Sequence, residues 1–395
     1  MLVSRRYFFF GSLATPLLAA KKKIDLVRPN LLLILVDGLP AWMTGCYGNK
    51  EVRTPNIDRL CQTGTRFLNS FVPAPEPIPS RNAYLTGLVA RSADVAAAAS
   101  AIDQTMGAAG HVSQTVNGQS FADSTSAAFR FLDQQAAAKP FSLTAIYSGF
   151  EPPYNTASKE FVDLYAGQIF ENWAADPPAR NAVRGKEMFS SRTANLRKAA
   201  AAVTALDSEV GKLLTKLYQK QLLDNTLIIF ASTCGALLGR HGLWGAGDAS
   251  DPPNMYDEVV NTPLIWSYPS RIPPTVTQVG LVSAYDLMPT LCEFLLLPPP
   301  GGNLCGRSYA PLVVGKPFPK KEPWRTTVFA HLGNTDMARV DRYKLVSRDD
   351  GKGPGELYDL RVDRDEQDNQ YQNAQFEDVR NGLAAKLVEW KKFLL

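Results

Sequence analysis

Two residues of this chain stand out for the chemistry they could do: Asp37, which closes the apolar run Leu31-Leu32-Leu33-Ile34-Leu35-Val36, and Arg81, which ends the run Pro77-Ile78-Pro79-Ser80-Arg81. A guanidinium presents several donors in a planar fork that suits an anion, and the same fork pairs with a carboxylate. Arg81 therefore has two readings, as an anion-binding group or as a structural one that pairs with Asp37 or caps backbone carbonyls. An acid just past a buried strand stands where open α/β sheets bind ligands. Its plainer alternative is to accept hydrogen bonds from loop amides or a helix start. Ser80 carries a hydroxyl beside that cation, but neither a histidine nor a second acid is placed by the sequence to activate it as a nucleophile. The three histidines, His111, His241 and His331, have no partner three or four residues on that would make a metal pair. Asp37, Cys234 and His241 would build a soft-metal site only if three separate loops converged.

The elements that must position these groups are legible as hydrophobic patterning. Residues 31–36 form a continuous apolar run, as expected of a strand buried on both faces of a parallel sheet. Residues 141–147 and 226–231 repeat the pattern, each after a helical stretch. The alternation predicts a doubly wound, mostly parallel sheet flanked by helices, an α/β fold. Helices are predicted near 55–63, 124–135 and 193–221, the last with Ala202, Leu206, Val210, Leu213, Leu214 and Leu217 at helical spacing, a core stripe. A Pro/Gly-rich loop at 298–302 precedes a change of character.

Larger motifs resemble those of the sulfatase family, in the alkaline-phosphatase superfamily. They are Arg28-Pro29-Asn30 leading into Asp37, then Gly45-Cys46-Tyr47-Gly48-Asn49-Lys50, Thr54-Pro55-Asn56-Ile57-Asp58-Arg59-Leu60, and Asn82-Ala83-Tyr84-Leu85-Thr86-Gly87-Leu88 after Arg81. Ala205-Leu206-Asp207-Ser208-Glu209-Val210-Gly211 and Ser283-Ala284-Tyr285-Asp286-Leu287-Met288-Pro289-Thr290-Leu291 continue the likeness. Arg342-Tyr343-Lys344-Leu345-Val346, Glu356-Leu357-Tyr358-Asp359-Leu360 and a terminal helix near 376–394 are similar to the family's small C-terminal subdomain, an antiparallel sheet packed by one helix. The division implied is an export leader and linker at 1–27, an α/β domain at 28–310 and the C-terminal subdomain at 311–395.

The resemblance implies a catalytic set that this chain does not carry. The family's Cys (or Ser)-x-Pro-Ser-Arg signature begins with a residue oxidised to formylglycine, and Pro77 stands there. Proline has neither hydroxyl nor thiol and cannot be an activated nucleophile. Sulfatases use calcium or magnesium held by oxygen donors, as hard cations require. Of the matching positions only Asp37 keeps its acid: Gly38 replaces the second aspartate, and Thr233 and Cys234 replace the later pair. Ala246 stands for the family's lysine and Pro152-Pro153 for its Pro-His. His241 matches a residue that shapes the site rim. The expectation is an inactive pseudo-sulfatase that has lost its metal and cofactor, in which a relict pocket of Asp37, Gly38, Ser80, Arg81, Thr233, Cys234 and His241 retains a sulfated or other anionic ligand through Arg81. The alternative is a sulfate- or phosphate-ester hydrolase acting through non-standard residues.

Composition sets outer bounds. With 395 residues, 45% hydrophobic and 20% charged, the chain has ordinary globular character, and 42 basic against 38 acidic residues argue against a nucleic-acid partner. Ser4-Arg5-Arg6-Tyr7-Phe8-Phe9-Phe10 and the apolar stretch after it read as a twin-arginine leader, so export to the periplasm or beyond is expected. No later run approaches the ~20 apolar residues of a membrane-spanning helix. The five scattered cysteines fit neither a disulfide framework nor a zinc pattern, with a Cys292 to Cys305 bridge the one conceivable pairing. Oligomeric state is left open.

Overall fold

The three apolar runs occupy the middle of one sheet. The computed structural model describes residues 28–394 apart from 90–94, 136–138, 171–172, 174–175, 299–300 and 302–303. The leader expected at 1–27, and part of the loop at 298–302, lie outside the described residues. In the α/β portion the strands are β1 (Asn30–Val36), β2 (Gly64–Phe67), β3 (Ser70–Phe71), β4 (Val112–Asn117), β5 (Phe141–Tyr147), β6 (Thr226–Ser232), β7 (Leu264–Ser267), β8 (Val276–Gln278) and β9 (Val282–Ser283). Seven of them form a sheet in the order β4-β5-β1-β6-β7-β2-β8, while β3 and β9 pair separately. Only β7 runs against its neighbours β6 and β2, as the expectation of a mostly parallel sheet allows.

β1 is apolar on both faces because both are covered. Leu31, Leu33 and Leu35 enter one core cluster, shared with the C-terminal half, and Leu32, Ile34 and Val36 enter the other, shared with the helices Phe121–Asp133 and Arg192–Gln219. Such two-sided burial is what a continuous apolar strand requires. The long helix contributes Leu206, Val210, Leu213, Leu214 and Leu217 to that second cluster, so the sequence stripe is core packing. Phe121–Asp133 starts three residues before the predicted position, because the Ser120 hydroxyl accepts from the Asp123 amide and supplies the N-cap.

Beyond the sheet, β10 (Val328–Leu332), β11 (Thr335–Arg339), β12 (Tyr343–Arg348) and β13 (Glu356–Asp359) form a four-stranded antiparallel sheet, and the helix Glu377–Trp390 packs on β11 and β12. Lys344 of β12 ties the two parts together. Its fully buried ammonium lies 2.5 Å from Asp257 and 2.6 Å from Glu366 and donates to the Met255 carbonyl at 2.9 Å. All five cysteines are free thiols, so the conceivable Cys292 to Cys305 bridge is not formed. Burial pushes both of those thiols up, to about 11 at Cys292 and about 12 at Cys305.

Candidate functional site

Register builds the site. Val36 lies opposite Tyr147 of β5 and Ser232 of β6, so the next residue of each strand emerges at the same carboxyl edge. Those residues are Asp37, Ser148 and Thr233. The ladder runs one step past the strands, with Asp37 N donating to Tyr147 O at 2.9 Å and Thr233 N to Val36 O at 2.8 Å. Their side chains then meet. Thr233 Oγ1 donates to Asp37 Oδ1 at 2.8 Å, and Ser148 Oγ donates to Asp37 Oδ2 at 2.6 Å. Arg81 Nη2 forms an ion pair with the same Oδ2 and reaches Ser148 Oγ at 3.3 Å. Of the two readings of Arg81, the structure shows the pair with Asp37. Asp37 itself accepts from side chains, not from loop amides.

Arg81 reaches this edge from the helix Pro77–Thr86. Proline at the first helical position costs nothing, because its missing N–H would have been an orphan there and its φ is already helical. The helix that carries the arginine thus persists with Pro77 at its start. Ser80, fully buried, donates to the Ala74 carbonyl and holds the preceding loop; its hydroxyl takes no part in the Asp37 cluster. Asp37, Gly38, Pro77, Arg81 and Cys234 all border one cavity of about 940 Å³.

Two expected members behave otherwise. His241 does not border the cavity. Its ring stacks on Tyr256 with centroids 3.6 Å apart, its Nε2 lies 3.5 Å from Glu258 Oε2, and its amide donates to Asp176 Oδ2 at 2.7 Å. The convergence of Asp37, Cys234 and His241 is therefore absent, and no group of three or more His, Cys, Asp or Glu among the described residues could hold a metal. Cys234 borders the cavity as a neutral thiol: burial pushes its proton affinity up, and the Asp37 carboxylate adds to this. A thiol in that state is neither a nucleophile nor a good ligand. His111, in the turn before β4, bonds to the Pro29 carbonyl at 3.0 Å, and His331 meets Asp336 at 2.7 Å, so both are structural.

Sequence reasoning missed the cavity's charged wall. Glu76, Glu151, Glu187 and Asp248 border it, with Arg184 as a second cation. Arg184 forms an ion pair with Asp248. Burial raises the proton affinity of Glu76, and the neighbouring Asp248 raises it further while Arg184 opposes. Ser148 was findable, because the strand-edge rule that singled out Asp37 applies equally to the residue after β5. Arg184 sits in irregular backbone and Glu187 in the short 3-10 helix Lys186–Ser191 that follows it, where spacing predicts no placement.

Comparison with known proteins agrees with this frame. The family model for sulfatases matches residues 29–106 and 104–295, and that for the C-terminal part of N-sulphoglucosamine sulphohydrolase matches 245–392. The chain belongs to the sulfatase family. It is 26% identical over 259 residues to an N-acetylglucosamine-6-O-sulfatase of Bacteroides thetaiotaomicron, covering 62% of this chain and 44% of that relative, so it spans under half of that protein's length. It is 26% identical over 370 residues to human arylsulfatase A, covering 77% and 72%. A solved structure of a protein in complex with its substrate D-glucosamine-2-N,6-O-disulfate superposes with a TM-score of 0.78 at 19% identity, covering 93% of this chain and 98% of that one.

The donor set does not fit the calcium or magnesium that the family would use. Asp37 faces a guanidinium and two hydroxyl donors, which engage both its oxygens. Gly38 cannot be the lost second aspartate in this backbone: its φ is +86°, and a Cβ there would lie 2.3 Å from the Phe150 carbonyl oxygen. Thr233 and Cys234 add no negative charge. An alkaline-earth ion wants about six to eight oxygens, several of them anionic.

Proposed function

We propose that this sulfatase-family chain does not transfer sulfuryl groups and works instead as a binding protein that uses the relict pocket. One observation carries the reading: the Arg81 guanidinium occupies the Asp37 carboxylate, where a sulfatase would place its cation. Positive charge is thus already supplied by the protein. The absence of a nucleophile at Pro77 and the lack of room at Gly38 support the same conclusion. Calcium or magnesium is accordingly no cofactor of this protein. A sulfated or other anionic ligand is supported by the sulfated sugar bound in the solved relative and by Arg81 at the cavity edge. Such a ligand would compete with Asp37 for the guanidinium.

Hydrolysis through non-standard residues is supported by family membership alone. The hydroxyl of Ser80 is spent on Ala74 and the Cys234 thiol is neutral, so neither offers an activated nucleophile. Export by the twin-arginine leader at 1–27 belongs to the same proposal and is checked by N-terminal sequencing of exported protein. No helix among the described residues is long and apolar enough to cross a membrane. The direct test of the pocket reading is equilibrium dialysis against calcium. No stoichiometric ion is expected; one that binds and is lost in Asp37→Ala would overturn the reading.

A further inference from the structure

Two cysteines outside the Asp37 pocket are brought together by a motif that the pocket does not use. Cys46 lies in the 3-10 helix Gly45–Tyr47 and Cys61 in the last turn of the helix Pro55–Gln62, and the two elements pack on each other. Asp58 fastens them: its Oδ1 accepts from the Cys46 amide at 2.6 Å and from the Thr54 hydroxyl at 3.1 Å. Gly45 permits that approach, since a Cβ there would lie 2.3 Å from Asp58 Oδ2. Residues three apart share a helix face, so the carboxylate that holds Cys46 stands on the same face as Cys61. From the other side the Arg66 guanidinium donates to the Cys46 carbonyl. Cys46, Asp58, Cys61 and Arg66 all border one cavity of about 330 Å³, which gives a small reagent a way in.

We propose that Cys46 and Cys61 form a reversible disulfide when the folded chain meets a small-molecule disulfide such as oxidised glutathione, and that the bridge clamps the turn after β1 to the helix Pro55–Gln62. Cys46 is half-buried and Cys61 is 7% exposed, so the first attack falls to Cys46. Its thiolate attacks one sulfur of the reagent, forms a mixed disulfide and releases the first glutathione thiolate. Cys61 then gives up its proton to solvent and attacks the Cys46 sulfur, releasing the second. Two protein thiols are oxidised and one reagent disulfide is reduced to two thiols. The Cys61 proton affinity is raised first by the hydrogen bond to Cys46 and then by burial, while Arg66 opposes. Once Cys46 is held in the mixed disulfide the first cause is gone, and Cys61 ionises more readily for the resolving step.

The test is peptide mapping by mass spectrometry on the full folded chain after incubation with oxidised glutathione. A linked pair of peptides carrying Cys46 and Cys61 is expected, and reductant should return both thiols. Cys61→Ser should stop at a glutathione adduct on Cys46, whereas Cys46→Ser should leave Cys61 unmodified. A loop of about 15 residues is closed, so the oxidised parent should show an unfolding equilibrium constant smaller by on the order of a hundredfold in urea titration. Recovery of both cysteines as thiols, or a bridge from either to another cysteine, would overturn the pairing; an oxidised chain no more stable than the reduced one would overturn the clamp.

Discussion

Arg81 and Asp37 depend on each other. Removing the guanidinium leaves a carboxylate that is 6% exposed without its countercharge, and breaking a buried pair from one side costs about 3–5 kcal/mol. Arg81→Ala should lower the unfolding free energy measured by denaturant titration by that order, and the double variant Asp37→Asn, Arg81→Met should lose much less than the sum of the single changes. Additive losses would show that the two side chains do not interact in solution. Gly38→Asp, the substitution that would return the family's second acid, should cost at least about 2 kcal/mol, since it puts a side chain in the left-handed region and against the Phe150 carbonyl. Thermal melting checks it. A G38D protein as stable as the parent would mean that the loop yields.

At the scale of elements, the β1, β5 and β6 edge decides what the residues can become. That edge was legible: three apolar runs announced three buried strands, and Asp37 announced its carboxyl end. What the sequence could not give was register. Thr233 reads as a lost ligand when taken alone, yet alignment of Val36 with Tyr147 and Ser232 makes it, with Ser148, a donor to Asp37. His241 was misplaced for the opposite reason. A motif fixed its order along the chain, while its stacking on Tyr256 and its contact with Glu258, long-range packing, fixed its position. Restoring the nucleophile alone tests the element: Pro77→Cys should leave the fold stable, because the first helical turn tolerates many residues, and should yield no turnover of sulfate esters. Turnover in P77C would show that the cation cage is intact.

For the molecule as a whole, the link between the α/β domain and the C-terminal sheet is a buried charge cluster. Burial opposes ionisation of Asp257, but Lys344 and Arg339 hold it down to about 2. Glu366 shares the same ammonium, and burial raises it to about 8 from an ordinary 4.5. The folded state therefore binds a proton at Glu366 that the unfolded chain releases between those values. Stability from this group is full below pH 4.5 and declines as pH rises toward 8. Urea unfolding at pH 5.5 and 8 should show that decline in the parent and a smaller one in Glu366→Gln. Identical slopes would place Glu366 in ordinary ionisation.

The loss of sulfuryl transfer is checked by hydrolysis of 4-nitrophenyl sulfate by the purified chain with calcium present, measured beside Asp37→Ala. Both proteins are expected to show the same background rate. Turnover by the parent that disappears in the variant would contradict it.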